Sequence, residues 1–335
     1  MKILTKSLRN RILKLQSDFL RQNILKNKIF HIDITPFLKV ILKRVKKGGY
    51  MKKISFLLLT LFVLPCICLF AGCGETFDYT VKAGESIQAV IDAAETGKSI
   101  LIKAGTYNEQ ITISNKKLTI MGEDGTIISG PEDYSNLTLW ERETGDTTGH
   151  SSQGMYGIVR ILAGADVTIK KLTIKSELAR TDSVDNNAGR SAGVFVANSR
   201  LEMMDVKVSG FRLKNEKFGI QTGYGLYVGG ANASTIIIDK CEFVGFQKGG
   251  VYALTTNSDV TVKNSTIQGA GDTDLIAQNG ICACGKVAIQ NNTFKNLKYL
   301  PDGTSACAIL LKSSVNQDNI TGNKFENVQV QKDVY

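Results

Sequence analysis

Two stretches in the C-terminal third, Val260-Thr-Val-Lys-Asn-Ser-Thr-Ile267 and Val287-Ala-Ile-Gln-Asn-Asn-Thr-Phe294, share one apolar pattern. Apolar residues occupy positions one, three and eight of each run. The alternation at the start is typical of a strand with one buried face. The break before position eight indicates a corner, after which the chain turns inward again. The run occurs six times in all, at 167–174, 201–208, 236–243, 260–267, 287–294 and, in degenerate form, 318–325.

A further strand opens each unit, with Gly followed by an apolar-x-apolar pattern. These starts are Gly157, Gly193, Gly225, Gly250, Gly280 and, with Ala in place of Gly, Ala308. The steps between them are 36, 32, 25, 30 and 28 residues. One such unit cannot bury its own apolar face, whereas stacked units form a continuous core. The tight hairpin turns that a propeller or sandwich needs are absent from the sequence. The pattern therefore predicts an all-β parallel β-helix.

Position six of the run changes from apolar residues to Asn292 and Asn323 in the last two units. An Asn at an inward corner can satisfy backbone groups of the turn and stack on the amide of its neighbour. We therefore expect an internal column of polar side chains beside the apolar column of position eight.

The segment Ser86–Ala94 predicts a short helix that caps the N-terminal end of the stack. Ile87, Val90, Ile91 and Ala94 share one helical face, and Ser86 is a suitable N-cap. At the other end the sequence stops at Tyr335 with no comparable segment. We expect either a partner over that end or a β-helix domain, 73–335, that is C-terminally incomplete.

The first strands resemble the opening coil of pectin-lyase-like right-handed β-helix proteins. The resemblance is carried by 87–94, 100–113 and 118–122 and extends over about residues 79–330. Pectin methylesterases share the Gly-Thr-Tyr-x-Glu step, present here from Gly105 to Glu109. The resemblance implies a right-handed helix but no single function, because this superfamily holds lyases, hydrolases, esterases, adhesins and phage spikes. The Asp motifs of the methylesterases are absent, and no coil strand carries the Asp pair that glycosidases need.

The excess of basic residues belongs to the leader of the chain. The whole chain has a net charge of +10. Residues 1–50 alone carry +11, whereas residues 73–335 carry −3. The sequence therefore does not indicate a nucleic-acid-binding protein. Residues 1–50 are interpreted as a mis-assigned start upstream of Met51, with a basic segment on a membrane surface as the alternative.

Residues 51–72 have the charged start, apolar core and small-residue exit of a secretory signal peptide. The run Leu69-Phe-Ala-Gly-Cys73 resembles the lipobox of bacterial lipoproteins, although Phe70 stands where Leu is usual. This resemblance implies that Cys73 is lipidated and that the protein is anchored, outside the cytoplasm, in a bacterial cell envelope. An uncleaved membrane anchor is the alternative. The four cysteines further along the chain are interpreted as small core residues rather than metal ligands.

Insertions fall at one corner of the repeat, at 175–192, 209–224, 268–279 and 295–307, and 130–156 is expected to join them. Such a wall along one side of a stack is a usual place for a binding cleft. Phe195, Tyr227 and Tyr252 then point outward on neighbouring coils and could stack on sugar rings. The alternative is that the rings bury their faces under the loops and stack on one another.

One insertion is charged and predicts a site for an acidic substrate. Lyases of the superfamily that this chain resembles neutralise a uronate carboxylate with a cation or Ca²⁺, and they remove a proton with Lys or Arg. Arg180 and Arg190 could clamp a carboxylate, and Asp182 and Asp185 could hold Ca²⁺. Arg160 joins this group if Val159 and Ile161 point inward.

Three functional hypotheses follow from these observations. The first is a lipid-anchored protein that binds uronate-containing polysaccharide and cleaves it by β-elimination. The second is a non-catalytic β-helix adhesin or carbohydrate-binding module. The third is an inactive fragment or degenerate paralogue.

Overall fold

The computed structural model describes residues 75–131, 136–141, 154–176, 190–212, 219 and 221–335. Thr76–Tyr335 form one compact unit. In chain order its elements are β1 (Tyr79–Val81), α1 (Ile87–Ala93), β2 (Lys98–Ile102), β3 (Gly105–Asn108), β4 (Ile111–Ser114), β5 (Lys117–Gly122), β6 (Thr126–Ser129), β7 (Met155–Leu162), β8 (Asp166–Lys170), β9 (Thr173–Lys175), β10 (Arg190–Ala197), β11 (Arg200–Met204), β12 (Lys207–Ser209), β13 (Tyr224–Gly229), β14 (Thr235–Asp239), β15 (Glu242–Val244), β16 (Gly249–Ala253), β17 (Asp259–Lys263), β18 (Thr266–Gly271), β19 (Asn279–Ala283), β20 (Lys286–Gln290), β21 (Thr293–Leu297), β22 (Cys307–Leu311), β23 (Ile320–Thr321), β24 (Lys324–Val328) and β25 (Val330–Val334).

The strands form three parallel sheets, and each coil of the chain visits the three sheets in turn. Sheet 1 has the order β1-β2-β5-β8-β11-β14-β17-β20-β23. Sheet 2 has the order β3-β6-β9-β12-β15-β18-β21-β24, and sheet 3 the order β4-β7-β10-β13-β16-β19-β22-β25. From β5 onward, each strand pairs in parallel with the strand that lies three positions earlier in the chain. The chain is therefore a parallel β-helix. The all-β prediction with one N-terminal helix is confirmed.

The predicted columns are present in register. Position eight of the repeat pairs from coil to coil in sheet 2, as Ile174, Val208, Phe243, Ile267, Phe294 and Phe325. The first five of these side chains are almost completely buried, and the rings of Phe294 and Phe325 stack with centroids 5.5 Å apart. The core is therefore one continuous apolar column rather than a set of separate clusters.

Close packing explains why Gly opens most units. A Cβ on Gly225 would lie 2.6 Å from the carbonyl oxygen of Gly250 and 2.6 Å from the ring of Phe243. A Cβ on Gly250 would lie 2.7 Å from the Gly280 carbonyl oxygen and 2.8 Å from Ile267. The large side chains of position eight thus occupy the space that a side chain would need at this position.

The first unit departs from the predicted register by one residue. Gly157 pairs with Ala192, and Val159 pairs with Val194, so that Ile158 rather than Gly157 lies level with Gly193. Ile158 is tolerated there because Gly130 makes room for it: a Cβ on Gly130 would lie 2.1 Å from the Ile158 side chain. The assignment of Gly157 to the glycine column is therefore wrong.

The Asn column forms the predicted hydrogen bonds. The Asn292 side-chain oxygen accepts from Ser265 N at 2.9 Å, and its amide nitrogen donates to Val262 O at 2.8 Å. In the next coil the Asn323 oxygen accepts from Asn292 N at 3.0 Å, and the Asn323 amide donates to Ile289 O at 2.7 Å. Each amide therefore satisfies two backbone groups of the preceding coil.

Helix α1 covers the N-terminal end of the core, with Ile87 and Ile91 buried. Ser86 Oγ accepts from Ala89 N at 3.1 Å, as predicted for the N-cap. Glu109 adds a second cap, since its carboxylate accepts from the backbone N–H groups of Ile87 at 2.7 Å and Gln88 at 3.2 Å. The Gly-Thr-Tyr-x-Glu step therefore holds the helix on the stack in this chain.

The insertions lie at the corner between sheets 2 and 3, as predicted. They separate β6 from β7, β9 from β10, β12 from β13, β18 from β19, and β21 from β22. In each of these coils the strand of sheet 3 follows the insertion along the chain. Among the described residues no helix has the length and hydropathy of a membrane span.

Candidate functional site

The outer face of sheet 3 carries the predicted row of side chains. Val194 and Val196 of β10 point into the core, so Phe195 points outward between them. Paired positions on successive strands continue the row as Thr112, Arg160, Phe195, Tyr227, Tyr252, Cys282, Leu310 and Asp333. We call this series the outer row.

The aromatic members of the outer row are buried rather than exposed. Phe195, Tyr227 and Tyr252 are 0%, 6% and 4% exposed. Their ring centroids are 6.4 Å and 6.3 Å apart, and the last two rings are parallel to within 14°. The expectation of an open aromatic surface is therefore corrected, since the rings stack on one another as the alternative required.

Two further aromatic residues cover the row. The ring of Trp140 lies 4.7 Å from that of Phe195, and an antiparallel bridge to Met155 holds Trp140 in place. The ring of Tyr224, at the start of β13, lies 5.0 Å from Tyr227 and 4.8 Å from Tyr252. The outer face of sheet 3 thus has a small apolar layer of its own, which the sequence pattern did not reveal.

Arg160 occupies the outer row next to Phe195, because Val159 and Ile161 are buried in the core as the conditional prediction required. Its Nε and one terminal nitrogen donate to Thr112 Oγ1 at 2.9 Å and 2.8 Å, and the other terminal nitrogen donates to Thr138 O at 3.0 Å. Burial lowers the pKa of this guanidinium. The side chain is fixed by neutral oxygen atoms.

Arg190 was predicted on an exposed loop, and the structure corrects this, because it is the first residue of β10 and only 8% exposed. Its guanidinium donates to the hydroxyl of Tyr224 at 3.2 Å. The predicted charged site also included Arg180, Asp182 and Asp185. These three residues lie outside the described residues.

Lys248 is a second buried cation at this face, after Arg190, and the sequence pattern did not identify it. It lies directly before β16 and is 8% exposed. Its ammonium donates to Ala277 O at 2.8 Å. Burial is the main cause that lowers its pKa to about 8, and the positive charge of Arg190 acts in the same direction. In the sequence, the signal for this residue is its position directly before Gly249 and Gly250, at the start of a strand.

Neutral polar groups surround these cations. Asn279 donates to the hydroxyl of Tyr252 at 3.2 Å and accepts from Cys307 N at 3.3 Å. Burial raises the pKa of the Cys282 thiol to about 12 and that of Cys307 to about 11. The prediction of buried, unpaired cysteines is confirmed for Cys241, Cys282, Cys284 and Cys307. The described residues contain no cluster of three or more His, Cys, Asp or Glu that could bind a metal.

Charge is arranged differently on the outer faces of the other two sheets. On sheet 1, Asp166 lies 3.2 Å from Lys117 and 3.0 Å from Arg200. On sheet 2, Lys207 lies 3.1 Å from Glu242. Charged side chains of neighbouring coils thus neutralise one another along both faces.

On the outer face of sheet 3, Arg160 and Lys248 have no such neighbour among the residues that the structure describes. Arg160 and Lys248 each form hydrogen bonds to neutral oxygen atoms and no ion pair with a described carboxylate. Asp333 is the acidic member of the outer row, and it stands three strands beyond Tyr252. The half-buried Arg160 and the buried Lys248 therefore carry positive charge without a described carboxylate beside them.

Comparison with known proteins gives one family match. The family model described as "Right handed beta helix region" matches residues 156–333, more than half of the chain. No curated protein matches the chain.

Solved structures of pectin methylesterases share the fold at low similarity. The enzyme PemA from Erwinia chrysanthemi is 17% identical with a TM-score of 0.46, over 78% of this chain and 81% of that one. A pectin methylesterase in complex with a hexasaccharide is 16% identical with a TM-score of 0.44, over the same shares. The carrot enzyme is 12% identical with a TM-score of 0.30, over 78% and 84%. This likeness is one of fold alone, and the chain belongs to the right-handed β-helix family.

Proposed function

We propose that the protein binds an acidic polysaccharide along the outer face of sheet 3. The observation that carries this proposal is the positive charge of the half-buried Arg160 and the buried Lys248, neither of which has a described carboxylate partner. Buried charges are costly unless they are paired. A ligand that supplies carboxylates would neutralise them.

The spacing of the charged groups suits an extended ligand. Arg160 and Tyr252 are three strands apart in the outer row, a distance of about 14 Å at the usual inter-strand spacing. Lys248 lies four residues before Tyr252 at the adjoining corner. A polymer with repeated negative charges can contact both cations, whereas a small anion contacts one.

Two versions of this function differ in turnover. In the first, the bound polymer is a uronate that is cleaved by β-elimination, with Arg160, Arg180 and Arg190 at the reacting sugar and Ca²⁺ on Asp182 and Asp185. In the second, the face binds without cleavage, as in an adhesin or a carbohydrate-binding module. Arg160 forms hydrogen bonds to neutral oxygens, and a guanidinium retains its proton. Both observations favour a binding role for this residue.

Binding and cleavage can be separated with the full chain. Pectate, alginate and glycosaminoglycans are added with and without Ca²⁺, binding is measured by calorimetry, and ultraviolet absorbance reports unsaturated uronate. The proposal expects tighter binding to pectate than to its methyl ester, and weaker pectate binding by Arg160→Met. Arg200→Met is the matched control, because Arg200 is ion-paired on sheet 1 and its substitution is expected to leave binding unchanged.

The results decide between the two versions and can refute both. A rise in absorbance establishes a lyase, and saturable binding with a flat trace establishes a binding protein. If none of the polymers binds, or if Arg160→Met and Arg200→Met behave alike, the outer face of sheet 3 is not the binding surface.

We also propose that the protein is exported and held at a bacterial cell envelope by lipid on Cys73. The support is the signal-peptide pattern at 51–72 and the lipobox-like run that ends at Cys73. Metabolic labelling with a radioactive fatty acid tests this. Label is expected on the wild-type chain and not on Cys73→Ala, and an unlabelled wild-type chain would exclude the anchor.

A further inference from the structure

The backbone of Lys248 is held rigidly between two neighbouring coils. Its N–H donates to Gly223 O at 3.0 Å, and its carbonyl accepts from Asn279 N at 3.0 Å. The side chain is therefore directed by the stacked coils rather than by a free loop. Rigid placement of this kind is what a preorganised binding group requires.

The ammonium of Lys248 has unused hydrogen-bonding capacity. It carries three N–H donors, and one of them donates to Ala277 O. No other described acceptor receives a hydrogen bond from it, and no described carboxylate lies within ion-pair distance. A purely structural lysine that held the Ala277 carbonyl would gain nothing from the charge, since a neutral donor would serve as well.

Among the described residues, one cation and two thiols act on the Lys248 ammonium. Arg190 is the charged residue that acts on the ammonium, and the nearby thiols of Cys282 and Cys307 remain protonated because burial raises the pKa of each. A buried ammonium whose hydrogen bond goes to a neutral carbonyl oxygen is stabilised by a neighbouring anion.

We infer that Lys248 anchors an anion-binding site that takes a single carboxylate of the ligand through its two remaining N–H donors. This inference rests on the proposed function for the class of ligand, and it assigns one residue as the group that distinguishes an acid from its ester. Lys248 is a binding residue in this scheme and Arg190 strengthens the positive potential around it.

The test compares an oligogalacturonate with its methyl ester, because the two ligands differ in charge and share the sugar rings. Calorimetry with the full chain is expected to show that Lys248→Met weakens oligogalacturonate binding by about 10- to 100-fold, the value of one charge-assisted hydrogen-bonded contact. The affinity for the methyl ester is expected to be equal in the wild type and in Lys248→Met. Lys298→Met is the matched control, because Lys298 lies 3.6 Å from Asp272 at the same corner and is partly exposed.

A second measurement keeps this inference separable from the proposed function. The side-chain ammonium signal of Lys248 is followed by NMR in ¹⁵N-lysine-labelled protein, assigned by its loss in Lys248→Met, while acetate or sulfate is added. A saturable shift with acetate supports the site even if no oligosaccharide binds, in which case the proposed function alone fails. A larger response to sulfate than to acetate would overturn the carboxylate assignment.

Two further results overturn the inference. One is equal binding of oligogalacturonate by the wild type and Lys248→Met, which leaves the proposed function intact and removes Lys248 from it. The other is an ammonium signal that no anion shifts in a protein that binds no oligosaccharide, which refutes both.

Discussion

Substitution of Lys248 by Met gives a sharp test of the electrostatics at the outer face of sheet 3. Burial lowers the pKa of Lys248 from 10.5 to about 8. Each pKa unit corresponds to about 1.36 kcal/mol, so keeping the ammonium charged in the folded protein costs about 3 kcal/mol. The cost is present in full below pH 8, because the side chain is then protonated in both the folded and the unfolded states.

The sign of the pH dependence follows from this order of pKa values. Between pH 8 and 10.5 the unfolded chain binds more protons at this residue, so the stability of the wild type rises with pH. The Met variant lacks the group and lacks this rise. Between pH 6.5 and 9.5 the wild type should therefore gain about 2 kcal/mol relative to Lys248→Met. The lost hydrogen bond to Ala277 O adds an offset that is the same at both pH values.

Urea unfolding of both proteins at the two pH values measures the difference. The described titratable groups that act on Lys248 are Arg190 and the thiols of Cys282 and Cys307, and the thiol pKa values of about 12 and about 11 lie above this range. Lys298→Met serves as the control, because it removes a partly exposed lysine at the same corner. A difference between wild type and Lys248→Met that changes by less than about 0.5 kcal/mol would refute the burial of a charged amine here.

Three further substitutions test how the coils of the β-helix pack. Gly225→Ala should destabilise the fold by about 1–3 kcal/mol in urea unfolding, because the added methyl group meets the Gly250 carbonyl oxygen and Phe243; an unchanged midpoint would show that the coils can separate. Asn292→Ala should cost on the order of 3 kcal/mol, because Ser265 N and Val262 O lose their partner, and a smaller cost than for the exposed Asn316→Ala would contradict the ladder. Phe195→Ala should cost about 3–5 kcal/mol in thermal or urea unfolding, whereas a loss of glycan binding at unchanged stability would restore the exposed-ring interpretation.

The repeat was readable from sequence because each coil makes the same local choices. Apolar residues at positions one, three and eight, an inward residue at position six and a Gly before the strand of sheet 3 recur with little change. Each of these residue types is set by packing within its own coil and against the similar coil next to it. The one error of register, at Gly157, arose where Ile158 is accommodated by Gly130, a residue far outside the repeated run.

The candidate site was readable only in part. Alternation along β7 and β10 predicted that Arg160 and Phe195 point outward, and both do. Whether an outward ring meets solvent depends on what other segments bring to that face, and Trp140 and Tyr224 arrive there from outside the repeat. Periodicity carries no information about such segments, so the burial of the aromatic row could not be predicted.

The sequence by itself determined the class of fold, the stacking columns, the capping helix and the corner at which the insertions lie, because these follow from periodic burial between adjacent coils. The burial of Lys248 and of Arg190 emerged only in the folded chain, and so did the lack of a described carboxylate partner for Arg160 and Lys248 on sheet 3. The physical reason is that the cost of a charge depends on the solvent and counter-charges around it, and residues distant in the chain supply both.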